Sequence, residues 1–152
     1  MRLPPIAFQS LEADVYPRNY PERADEIDAM IGELSQFHRT YGYYARGIAP
    51  TTATLPAGWE QRVVRISGPN TGGATGLCIE VNDLALSKYV AGREGDLAFN
   101  RELAKYGIVS KRKLTRLLPT MPIDDERKRL VLDRIKQDFA AANPRRAPKP
   151  TW

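Results

Sequence analysis

The chain has 152 residues, 42% of them hydrophobic, with a single cysteine and a formal net charge of +5. That length suits one domain with a terminal extension, and the apolar fraction excludes an intrinsically disordered chain. One cysteine excludes a disulfide framework, no apolar run approaches the ~20 residues a membrane-crossing helix needs, and the opening Met1-Arg2-Leu3-Pro4-Pro5 shows no apolar signal segment, so a cytoplasmic location is expected.

The charge is unevenly spread. Residues 1–100 hold 9 basic and 12 acidic side chains, whereas residues 101–152 hold 14 and 6. The excess therefore belongs to the C-terminal third, either as a contact for nucleic acid or another polyanion or as a solvated helical face.

In chain order, Leu11 to Tyr16 reads as a strand ended by Pro17, with Glu12, Asp14 and Tyr16 sharing one face by period two. Pro21 and Glu22 open a helix to about Leu34, with Ala24, Ile27, Met30, Ile31 and Leu34 on one side. Tyr41–Ile48 and Arg62–Ile66 read as further strands, and Leu77 to Val81 as a fourth, with Cys78 expected as a small buried hydrophobe. The Gly-rich segment 67–73 matches neither GxxxxGK[ST] nor GxGxxG and reads as a loop. Asn82 is the expected cap of a helix beginning near Asp83 and interrupted at Gly92. A second helix is expected from about Asp96 to Tyr106, with Phe99, Leu103 and Tyr106 inward and Gly107 as its stop. Ser110 caps a short basic helix to Leu118, with Leu114, Leu117 and Leu118 inward, and a last helix spans about Asp124 to Ala142, packing Val131, Ile135 and Phe139. The proline- and arginine-rich tail from Pro144 is expected to be disordered.

Glu12-x-Asp14 is the sharpest chemical feature. Two carboxylates on one strand face suit a hard cation such as Mg²⁺, and two-metal phosphoryl transfer requires such an arrangement; acidic pairs on exposed strand faces are also common. His38, the only histidine, has no cysteine or second histidine with which to build a zinc site and reads as a surface or turn residue. Lys88 and Arg93 could meet a phosphate or pair with Asp96.

Leu11 to Asn19, Asn82-Asp83-Leu84-Ala85-Leu86-Ser87-Lys88 and Gly92-Arg93-Glu94-Gly95-Asp96-Leu97 together resemble a family of small bacterial nucleotidyltransferase-like proteins, akin to the nucleotidyltransferase component of abortive-infection toxin–antitoxin systems of the AbiE type. The likeness covers residues 8 to about 118. It implies an α+β, polymerase-beta-like fold, a short mixed sheet flanked by helices, over a domain of residues 1–118; beyond it the sequence itself adds a C-terminal helix over 119–142 and a basic, disordered tail over 143–152. The implied activity is Mg²⁺-dependent transfer of a nucleotide from an NTP to a hydroxyl, with Glu12 and Asp14 holding the metal, and with Lys88, Arg93 and Asp96 contacting phosphate or bracing the site.

The chain departs from the family pattern at three places. No Gly-Ser turn precedes Glu12, Gly95 stands at a position usually lysine, and Tyr41–Ile48 offers no third carboxylate. Either the true start lies upstream or this is a trimmed, inactive relative; as it stands, an N-terminally truncated domain is expected, with an exposed sheet edge suited to homodimerisation. The alternative function is a catalytically inactive relative that binds RNA, DNA or a cognate protein through Arg112, Lys113, Arg116, Arg145 and Arg146.

Overall fold

The computed structural model describes residues 10–142. The chain forms two compact units, Met1–Ala53 and Thr54–Trp152. Among the described residues it is a mixed α+β protein with six α-helices and two separate two-stranded sheets, not the single mixed sheet expected.

In the first unit, β1 (Glu12–Val15) and β2 (Tyr44–Gly47) pair in parallel, with Glu12 opposite Tyr44 and Asp14 opposite Arg46. Parallel neighbours need a crossover, which here contains α1 (Ala24–Ile31) and α2 (Gln36–Tyr41). The single helix expected over 21–34 is thus a 3-10 turn, Pro21–Arg23, followed by α1. Gly32 ends α1 in extended geometry, and Ser35 then caps a second helix by accepting from the His38 amide at 3.1 Å.

The strand expected from Tyr41 begins only at Tyr44 because Tyr41 closes α2. Gly42 follows at φ +76°, the left-handed geometry that stops a helix most cheaply with glycine. Asp28 anchors α1 to the sheet by accepting from the Gly47 amide at 3.1 Å. A side chain at Gly47 would collide with the Ala24 carbonyl, so α1 lies close against β2. Neither helix contains a buried residue, and Ala45 is the buried hydrophobic of this unit.

The second unit opens with an exposed antiparallel hairpin, β3 (Val64–Ile66) with β4 (Gly76–Cys78), in which Val64 faces Cys78. Cys78 is exposed rather than buried, because the helices do not cover this hairpin. The fourth strand stops three residues early, since Val81 already begins α3 (Val81–Ala91). The cap of α3 is Glu80 and not Asn82: the Glu80 carboxylate accepts the Asn82 and Asp83 amides at 2.8 and 3.4 Å. A carboxylate there also meets the positive end of the helix dipole. Released from capping, the buried Asn82 donates to Glu80 at 2.7 Å and accepts the Ser110 amide at 2.8 Å, tying α3 to the start of α5.

Four helices enclose the core: α3, α4 (Glu94–Lys105), α5 (Lys111–Leu117) and α6 (Asp125–Ala141). Leu86, Tyr89, Leu103, Leu114, Met121, Val131 and Ile135 fill it. α6 packs against α3, α4 and α5 and forms a wall of this unit. On α4 the buried set is Asn100, Leu103 and Ala104; Tyr106, expected inward, is 40% exposed because it lies at the cap beside the Gly107 turn. Among the described residues no helix is long and apolar enough to cross a membrane.

Candidate functional site

Glu12 and Asp14 do project from one side of β1, and the parallel register brings Arg46 of β2 to them. The Arg46 Nη2 lies 3.2 Å from Glu12 Oε1 and 3.0 Å from Asp14 Oδ1, and its Nε donates to Asp14 Oδ1 at 3.1 Å. Tyr44 donates its hydroxyl to Glu12 Oε2 at 2.9 Å. Glu12 Oε2 and Asp14 Oδ1 therefore already accept hydrogen bonds from the chain, and Glu12 Oε1 lies in ion-pair contact with Arg46. The two carboxylates push the Arg46 guanidinium above its ordinary pKa, Asp14 more than Glu12, and the bond to Glu12 does the same for the Tyr44 phenol.

Mg²⁺ demands near-octahedral oxygen coordination at about 2.0–2.1 Å. Arg46 occupies the shared side of both carboxylates, and no cluster of three or more His, Cys, Asp or Glu suited to a metal ion occurs among the described residues. As arranged, these residues do not fit the ion that the resemblance implies. Periodicity places Glu12 and Asp14 on one face, but it says nothing of Arg46 and Tyr44. Their role depends on the strand pairing, and the sequence carries only one signal for it: opposite charges on two short segments separated by helix.

In the second unit, Gly92 at φ +66° turns the chain from α3 into α4. The reversal lets Lys88 reach Asp96, eight residues on, at 2.9 Å with both side chains largely covered. Lys88 Nζ also lies 5.1 Å from the centre of the Phe99 ring. Arg93 is the exposed N-cap residue of α4 and takes no part in this pair. Lys88 and Asp96 thus act as a helix-to-helix brace. Asp96 Oδ2 and Asn100 Oδ1, one helical turn apart, are buried without a partner among the described residues, while Asn100 Nδ2 holds the Ala85 carbonyl at 2.9 Å.

In the first turn of α3 sits a fully buried carboxylate, Asp83, gripped by Arg62 through Nε at 2.8 Å and Nη2 at 3.0 Å. Tyr89 donates to Asp138 at 2.8 Å, and Arg134 donates to the Tyr89 carbonyl at 2.7 Å. Burial raises the pKa of both Tyr89 and Asp138, although the hydrogen bond from Tyr89 and the charge of Arg101 pull Asp138 partly back. Arg62, just after the 3-10 turn Trp59–Gln61, ties that turn to α3, and Tyr89 with Asp138 and Arg134 ties α3 to α6; no motif in the sequence marks them as a site.

The basic residues lie differently. Lys111, Arg112, Lys113 and Arg116 are all exposed on α5, whose Leu114 and Leu117 face the core. Lys113 approaches Glu80 at 3.8 Å; the other three form no salt bridge among the described residues. A groove of about 420 Å³ beside Thr115 is lined by Leu118, Pro119, Leu132, Lys128 and Arg129, with Asp125 its one carboxylate. Arg145 and Arg146 lie outside the described residues.

Protein-family models, curated proteins and solved structures all yield no match to this chain.

Proposed function

We propose that the chain is a nucleotidyltransferase-like protein that serves as a non-catalytic nucleic-acid-binding module. The observation that carries this reading is the set of exposed cations on α5, Lys111, Arg112 and Arg116, which no carboxylate neutralises among the described residues. Phosphate backbones are bound by such unpaired cations, with release of counterions. Lys128 and Arg129 along the adjacent groove extend the positive surface to α6. A gel shift with tRNA and with duplex DNA tests it: binding that weakens steeply with salt is expected, and a salt-insensitive shift, or none, would remove the reading.

The competing reading is Mg²⁺-dependent transfer of a nucleotide from an NTP to a hydroxyl, in a toxin–antitoxin or phage-defence setting. It rests on Glu12 and Asp14 sharing one side of β1, the pair to which the resemblance assigns the metal. Calorimetric titration of Mg²⁺ with each NTP distinguishes the two. Binding that disappears in Asp14→Ala supports transfer, and no binding supports the module.

A further inference from the structure

We infer that Arg46 is the resident cation of the Glu12–Asp14 pair: a guanidinium tethered to β2 holds the position at which a divalent ion would otherwise bridge the two carboxylates. The geometry is that of a shared cation. One nitrogen, Nη2, reaches Glu12 Oε1 at 3.2 Å and Asp14 Oδ1 at 3.0 Å, and Nε adds a second donor to Asp14. The register fixes this arrangement, since Arg46 lies directly opposite Asp14 in a parallel ladder. Tyr44, opposite Glu12 in the same ladder, holds the outer oxygen of Glu12 at 2.9 Å and so orients that carboxylate toward Arg46.

Tethering decides the competition. A group carried on the neighbouring strand acts at an effective concentration of order millimolar or higher, and it never has to diffuse to the site. Two carboxylates alone supply few of the six ligands that Mg²⁺ requires, so the free ion must displace a bound guanidinium while gaining few bonds of its own. The side chains of Arg46 and Asp14 are 51% and 45% exposed. The pair is therefore open to solvent, and its exclusion of ions rests on Arg46 rather than on burial. Removing the guanidinium uncovers a weak divalent site built from Glu12 and Asp14.

The full-length chain is titrated with Mn²⁺ and followed by electron paramagnetic resonance, using the wild type, Arg46→Gln, and Arg46→Gln combined with Asp14→Asn. Arg46→Gln should bind Mn²⁺ at least tenfold more tightly than the wild type, and adding Asp14→Asn should abolish the gain. Equal binding by wild type and Arg46→Gln, lost on Asp14→Asn, would overturn the inference, as would no gain in Arg46→Gln. Should Arg46→Gln fail to fold, the Arg46 Nε–H resonance of the wild type decides. It should keep its position and width in millimolar Mg²⁺ and Mn²⁺, and broadening by Mn²⁺ at those levels would show that the ion displaces the guanidinium. Nucleic-acid affinity plays no part in these readouts, so they stand or fall apart from the proposed binding function.

Discussion

Replacing Arg62 with Met tests how the second unit tolerates Asp83, its one fully buried carboxylate among the described residues. Asp83 is 0% exposed, and two Arg62 nitrogens contact it at 2.8–3.2 Å. Removing one partner of a buried pair costs about 3–5 kcal/mol, because the remaining charge stays desolvated and unpaired. Arg62 itself is 30% exposed, so water can partly replace it, and the lower end, about 3 kcal/mol, applies. For a unit of this size that corresponds to a fall of roughly 12–24 °C in melting temperature.

Urea unfolding followed by circular dichroism measures the loss, and Arg62→Met/Asp83→Asn provides the control. Neutralising the orphaned carboxylate should restore a substantial part of the stability, making the double variant more stable than Arg62→Met alone. A loss below about 1 kcal/mol, the range of a surface ion pair, or a double variant no better than the single, would refute the reasoning.

Gly92→Ala should cost at least about 1–2 kcal/mol, since an L-residue is strained in the left-handed region. Its Cβ would also lie 2.6 Å from the Arg134 guanidinium and disturb the bond to the Tyr89 carbonyl. Gly107→Ala, at φ +65° but in open space, should cost less, and equal losses in chemical denaturation would contradict the close approach. Tyr89→Phe removes a bond that favours ionised Asp138, so the pKa of Asp138, already raised by burial, should rise further in a carboxyl ¹³C NMR titration. The sign follows from linkage. A folded value above the unfolded one gives stability that is fully present below the unfolded pKa and lost as pH rises through the folded pKa, so Asp138→Asn should abolish that part of the decline. An Asp138 signal in Tyr89→Phe that titrates no higher than in wild type would contradict this.

Much of the second unit was legible because long apolar periodicity survives local detail. Leu114, Leu117, Leu118, Val131 and Ile135 fall inward as the spacing indicates. The ends were harder to read. Asn82 and Glu80 are both competent caps, and only the fold shows that Asn82 is needed by Ser110, leaving Glu80 to cap α3. In the first unit the α1–α2 break is hard to read, because helix α2 spans only six residues, too short for periodicity to declare, and contains no buried residue. The candidate site was half legible. Glu12 and Asp14 declare a shared face by alternation, whereas Arg46 joins them only through a parallel pairing that spans 32 residues of chain. Lys88 and Asp96 stood out as a polar set, and their role as a brace depends on the Gly92 reversal that brings them together.

The most direct test of the binding function is the salt dependence of affinity for duplex DNA, measured by fluorescence anisotropy on the wild type and on Lys111→Gln/Arg112→Gln/Arg116→Gln. Three phosphate contacts contribute about −2.7 to the slope of log affinity against log salt. The wild type should therefore lose at least about forty-fold in affinity between roughly 50 and 200 mM salt, and the triple variant should show a slope shallower by about 2.7. A wild-type affinity indifferent to salt, or a slope unchanged in the triple variant, would contradict the account.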